Sequence, residues 1–135
     1  MNSINHRVVQ VVWKRAGLFT DDLEVWVSVE KIEANWRADG EDYIGRNGVG
    51  AAKPGAYEGF SAWVQSGQPV EMPEVTIYEG RIQFSNGRHR FAFFRDHGMT
   101  AMQVQTDPAD IELFKKMFAT TERSSVWLRP VSTST

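Results

Sequence analysis

Residues 81–98, Arg-Ile-Gln-Phe-Ser-Asn-Gly-Arg-His-Arg-Phe-Ala-Phe-Phe-Arg-Asp-His-Gly, decide how the chain is read. Residues 81–85 (RIQFS) are β-rich, and residues 86–97 read as a helix stopped by Gly98, a residue type suited to the left-handed position after a helix. The six residues Ser85, Asn86, Gly87, Arg88, His89 and Arg90 therefore join a strand to the start of a helix. Helix N-termini carry unpaired N–H donors and partial positive charge, so they attract anions and disfavour cations. Arg88, His89 and Arg90 nevertheless fill the first turn. A negative partner held there accounts for this, and Gly87 would let it come close to the backbone. At 100° per residue, Arg90 projects between Phe93 and Phe94 on the side of Phe91, whereas Arg88 and Arg95 fall opposite. An inward arginine needs a counter-charge, either a ligand phosphate or a carboxylate of the chain. The competing reading has Arg88 and Arg95 as solvated charges, Arg90 in a structural salt bridge and His89 bonded to a carbonyl.

Charge supports an anion site. Residues 81–97 hold Arg81, Arg88, Arg90 and Arg95 against Asp96, a local +3 that leaves −5 for the rest of a chain whose total is −2. A concentrated positive spot on an acidic body suits a small anion better than a long polyanion. The 135 residues match a single domain, 1–135, with 41% hydrophobic content excluding wholesale disorder. There is no cysteine, hence no disulfide, zinc-thiolate site or cysteine nucleophile, which fits a reducing cytoplasm. No apolar run is long enough to span a membrane, and residues 1–10 lack the pattern of a secretory leader. The expectation is a cytoplasmic protein with no membrane partner.

Outward from the turn, residues 74–78 (EVTIY) and 81–85 are joined by Glu79-Gly80 and predict a β-hairpin. Residues 102–105 predict a strand. Asp107 and Pro108 open a last helix as N-cap and first helical residue, with Ile111, Phe114, Met117 and Phe118 as its apolar stripe. Residues 7–14 (RVVQVVWK) read as one strand, and residues 24–32 (EVWVSVEKI) as a second, Val25, Val27 and Val29 facing inward. Residues 35–59 carry six glycines and read as a long loop, with 38–59 a candidate ligand clamp. Tyr57, Phe60, Trp63 and Val64 suggest a short helix ending near Gly67. Residues 121–135 read as a flexible tail. Trp13 and Trp26 are expected in the core, whereas Trp36 and Trp63, flanking the glycine loop, are candidates for stacking on a base.

The strand, Asn86-Gly87-Arg88-His89-Arg90 turn and helix, continued by Phe91-Ala92 and by Arg95 to Met99, resemble the ParB/sulfiredoxin superfamily. Residues 27–32 with Asn35 and Arg37 resemble its first strand and turn, and residues 101–104 the strand after its helix. The likeness covers roughly residues 24–106. It implies an α/β (α+β) fold, a small mixed sheet with surrounding helices, and a G-x-H-R turn that cradles nucleotide phosphates through Gly87, His89 and Arg90, with Asn86 and Arg88 beside them. Arg88 stands where sulfiredoxins carry the catalytic cysteine, so sulfinic-acid reduction by that chemistry is excluded. The Glu-Arg-Arg box of chromosome-partition proteins is missing, and 135 residues leave no room for their helix-turn-helix domain. Compact members implied by the resemblance include nucleotide-dependent phosphotransferases, proposed nucleases and plasmid-borne proteins that restrain DNA transfer.

The leading expectation is a protein that binds ATP or another nucleoside triphosphate. His89 would donate to a phosphate oxygen and Arg90 would neutralise charge. Mg²⁺-dependent transfer or hydrolysis would also need carboxylates, and Glu30 and Glu33, at the end of the family-like strand, are the candidates. The alternatives are a DNA-directed nuclease or plasmid or phage factor using the same turn, and a non-enzymatic module binding a partner protein. Residues 45–50 with Lys53 resemble a phosphate loop but lack its Gly-Lys-Ser/Thr ending.

Overall fold

The computed structural model describes residues 5–17, 21–39, 42–45, 63–64 and 66–131. Most of the glycine loop, with Tyr57 and Phe60 of the expected short helix, lies outside the described residues.

The architecture is mixed α+β. Strands β1 (Asn5–Gln10), β2 (Trp13–Lys14) and β3 (Leu23–Ser28) lead into helix α1 (Val29–Asp39). Strands β4 (Val70–Glu71), β5 (Glu74–Tyr78) and β6 (Arg81–Asn86) precede helix α2 (Arg88–Asp96). Strand β7 (Ala101–Thr106), a 3₁₀ turn at Pro108–Asp110, helix α3 (Ile111–Phe118) and strand β8 (Val126–Val131) complete the described chain. The principal sheet has the order β3-β7-β5-β6; β1 pairs with β8 and β2 with β4 as two small sheets. In the principal sheet β3 and β7 are antiparallel, as are β5 and β6, while β5 meets β7 in parallel at Glu74 and Gln105.

The hairpin forms as its sequence dictates. Glu79 and Gly80 both take positive φ, 52° and 79°, the geometry that matches the strands' right-handed twist. Helix α2 ends as expected: Gly98 lies at φ 82°, its N–H meets the Arg95 carbonyl, and Met99 N–H meets that of Phe94. Asp107 caps the 3₁₀ turn by accepting from Ala109 N–H at 2.8 Å. One core joins Trp36, Phe91, Phe94, Phe114, Ile32, Met102 and Val27 among others.

Three expectations change. The strand read over residues 24–32 ends at Ser28, and residues 29–39 are helical. Ser28 Oγ accepts from Lys31 N–H, capping the helix, and the buried residues Val29, Ile32, Glu33 and Trp36 follow helical spacing. Residues 7–14 form two strands, because the chain leaves the β8 pairing at Gln10 and joins β4 from Trp13. The stretch read as a tail after Thr120 supplies β8, whose six residues pair with β1. Pairing so distant in sequence outweighs a Ser/Thr-rich local composition.

Each open edge of the principal sheet is met by another part of the chain, β6 at its hairpin end and β3 in its second half. Asn35 of α1 donates to the Gly80 carbonyl and accepts from Ile82 N–H at 2.9 Å, imitating a strand beside β6. At β3, Thr120 N–H meets the Trp26 carbonyl and Ala119 bridges Val27.

Candidate functional site

Asn86 ends β6, Gly87 turns at φ 88°, ψ 17°, and Arg88, His89 and Arg90 form the first turn of α2. No side chain caps this helix and no acid lies in its first turn. The glycine is needed for a reason internal to the fold. A Cβ there would sit 2.7 Å from Arg90 Nη2 and 2.8 Å from Pro73 Cα. The close approach inferred from sequence is thus filled by Pro73 and the folded-back Arg90 guanidinium.

Arg90 projects away from Arg88 and Arg95, as the helical rotation predicts. Its Nε and Nη2 are buried and meet no hydrogen-bond partner among the described residues. Burial lowers its pKa, against the opposing pull of Glu71 and Glu74. It lines an open pocket of about 250 Å³ with Lys14, Trp63, Pro69, Val70 and Glu71. The β2 and β4 pairing supplies Lys14, Val70 and Glu71, while Trp63 is held by a bond from Nε1 to the Pro69 carbonyl and remains exposed. A pocket bearing two cations, one acid and an aromatic face can hold an anionic group alongside a flat one.

Glu74 sits behind Arg90 and was not singled out by the sequence. It is 1% exposed, and among the described residues neither carboxylate oxygen has a partner at hydrogen-bond distance and angle, the Asn86 amide standing just outside that geometry. Burial raises its pKa; neighbouring Asn86 and Arg90 act in the opposite sense, while Asp22 and Glu71 add to the rise. Asp22 is itself raised, first by burial and then by Asp21 and Asp107. Strand alternation gives no hint of this, since Glu74 and Val75 are both buried at the start of β5.

The other side of α2 works differently. Arg88 Nη1 donates to the Asp42 carbonyl at 2.8 Å, and Arg95 donates to the carbonyls of Ile44 and Gly45. Arg95 is also ion-paired to Glu33 at 2.8 Å and to Asp96 at 3.0 Å. Burial opposes its charge, but the bonds to Asp96 and Glu33 prevail and raise its pKa. The structural salt bridge considered for Arg90 therefore belongs to Arg95, which is buried and not solvated; among the described residues Arg90 makes none. The signal was available. Arg88 and Arg95 lie seven residues apart, two helical turns, and can grip one segment together.

Of the candidate acids, Glu30 is exposed on α1, and Glu33 is engaged by Arg95 and by Tyr43 Oη at 2.7 Å. His89 is half-buried beside Arg88 and Arg90 in the turn. The turn thus brings Asn86, Gly87, Arg88, His89 and Arg90 together, while Glu33 lies in the Arg95 network. Trp36 is fully buried and bonds Asp42 Oδ1 at 2.9 Å, so it cannot stack on a base; Trp63 can. Trp13 and Trp26 are half-buried, Trp13 packing its ring edge-on against Phe94. Among the described residues no three of His, Asp and Glu group as metal ligands, and no helix is long and apolar enough to cross a membrane.

A small mixed sheet with helices around it and a strand–Gly87–α2 turn make this a compact α+β fold of the class the sequence predicts. Among solved structures, the chain is similar to the Oncogenic Suppression Activity Protein, a plasmid fertility inhibition factor in its gold(I) cyanide derivative. The TM-score is 0.58 at 16% identity, over 93% of this chain and 75% of that one. No family model and no curated protein matches the chain.

Proposed function

We propose that this chain is a phosphate-binding factor whose ligand is a nucleoside triphosphate such as ATP, held where α2 begins. The observation that carries this reading is Arg90, a guanidinium with two buried nitrogens that meet no acceptor among the described residues, on the wall of an open pocket. Leaving such donors unsatisfied is costly, and a phosphate oxygen is the acceptor they fit best. The first-turn N–H groups, His89 and Lys14 would add donors, and Trp63 a face for the base.

Binding, rather than cleavage, is the activity these residues support. Mg²⁺ would supply neutralisation of the phosphate charge if it accompanied the nucleotide. The acids expected to assist it do not fit: Glu30 is exposed, and Glu33 is bound to Arg95 and Tyr43.

A second reading is a DNA-directed plasmid or phage factor that restrains transfer, using the same turn on a phosphodiester. The similarity in fold to a plasmid fertility inhibition factor favours it. Tryptophan fluorescence titrated with ATP, CTP and short DNA, with and without Mg²⁺, ranks the two. ATP or CTP binding that falls about tenfold or more in Arg90→Ala supports the nucleotide reading. Affinity unchanged in that variant rejects it. Tight DNA binding with a steep salt dependence moves the second reading ahead. Silence from every ligand leaves the interaction module, to be pursued by pull-down.

A further inference from the structure

The first turn of α2 faces two ways through Arg90. Outward is the pocket with Lys14, Trp63 and Glu71. Inward is Glu74, whose two carboxylate oxygens are buried without a hydrogen-bond partner among the described residues. The backbone brings the two side chains to one place. Pro73, directly before Glu74, and the Arg90 guanidinium close on the same point above Gly87, at 2.8 and 2.7 Å from the position of a Cβ. Asn86, the neighbour of Gly87, is the register partner of Glu74. No hydrogen bond joins the two charges, yet each offsets the other's cost of burial.

A buried carboxylate persists only if a cation or a proton neutralises it. The charged groups facing Glu74 are Asp22 ahead of β3, Glu71 of β4 and Arg90 of α2. Two of these three are acids. Asn86 of β6 carries no charge, though its side-chain amide lies close enough to favour the ionised carboxylate, and Gln105 of β7 is spent on Ala16 N–H and carbonyl. Arg90 is thus the cation through which Glu74 can stay ionised. An anion in the pocket would claim that same guanidinium, leaving two negative groups around one positive group.

We propose that Glu74 is the internal counter-ion of Arg90, and that an anion entering the pocket displaces it, so that binding is accompanied by transfer of a proton from solvent onto the Glu74 carboxylate. This rests on the phosphate-binding reading and adds its regulation. The sign follows directly. Losing Arg90 to the ligand increases the proton affinity of Glu74, so the bound protein holds more protons than the free one. Affinity therefore rises as pH falls through the range where bound Glu74 is protonated and free Glu74 is not. The slope is at most about tenfold per pH unit, and it levels off at lower pH.

Sulfate is a suitable probe, because it is a dianion throughout the neutral and mildly acidic range. Calorimetry in two buffers of different ionisation enthalpy counts the protons taken up per sulfate bound. Total uptake does not say which group takes the proton, so Glu74→Gln is the discriminating variant. The expected result is that this variant loses part of the uptake, binds sulfate several-fold more tightly at neutral pH, and matches the wild type in mild acid. The carboxyl ¹³C shift of Glu74 in the wild-type protein reads the same event without any substitution and should move toward the protonated value on adding sulfate. Unchanged uptake in Glu74→Gln, or a Glu74 shift that sulfate does not move, overturns the counter-ion role while leaving phosphate binding intact. No sulfate binding at any pH overturns both.

Discussion

Arg95 and Glu33 stand 62 residues apart in sequence and close a buried ion pair at 2.8 Å, tying the last turn of α2 to the inward face of α1. The same guanidinium donates to the carbonyls of Ile44 and Gly45 and lies about 6 Å from the ring centres of Trp36 and Tyr43. It therefore organises the wall opposite Arg90. Removing one partner leaves an uncompensated charge in the core. Arg95→Ala is expected to cost about 3–5 kcal/mol in urea unfolding. Arg95→Ala together with Glu33→Leu should recover part of that loss. A loss below about 1 kcal/mol for the single variant would show the pair to be dispensable.

Gly87→Ala tests whether the glycine is required by the fold. Its left-handed backbone and the crowding by Pro73 and Arg90 act together. The expected destabilisation is about 2 kcal/mol or more, seen as a lower thermal midpoint without any ligand present. An unchanged midpoint would return Gly87 to a purely ligand-facing role.

Glu74 gives a pH dependence of stability. Its folded pKa is raised, so the folded state binds its proton more tightly than the unfolded state does. Its contribution to stability is greatest in acid, falls as pH rises through the unfolded value, and is lost above the folded one. Glu74→Gln should be more stable than the wild type at neutral pH, with the difference closing toward about pH 4. Paired denaturation curves across that range check this, and a gap independent of pH would contradict it.

Asn35→Ala removes both bonds at the β6 edge, an expected loss of about 1–2 kcal/mol. Hydrogen exchange offers a local readout. The Ile82 amide should exchange faster in the variant while amides at the β5–β7 contact hold their protection.

Elements defined by local chemistry were legible in the sequence. Glu79-Gly80 named the hairpin, Gly98 the end of α2, Asp107-Pro108 the last helical segment, and helical rotation correctly sent Arg90 one way and Arg88 and Arg95 the other. What escaped depends on distant partners. The first helix was concealed because Val25, Val27 and Val29 alternate like a strand, although Val29 already belongs to the helical set with Ile32 and Trp36. Trp36 was placed beside a ligand because it adjoins a glycine loop, whereas the tertiary fold buries it against Phe84 and Phe91. Arg95, read as a surface charge, and Glu74, given no role by its strand, are both buried; the spacing of Arg95 from Arg88 hints at this, whereas nothing local to Glu74 does.

The side chain of Asn35 at Ile82, and residues 119–120 at Trp26 and Val27, have a consequence for how this protein meets others. A sheet with vacant borders can recruit an extended peptide, or a second copy of itself, through main-chain pairing. Here the hairpin end of one border and the second half of the other are already taken by the chain's own groups. Those stretches cannot pair with an extended strand from another molecule without first giving up their own partners, which narrows the length of edge open to edge-to-edge stacking when the protein is concentrated.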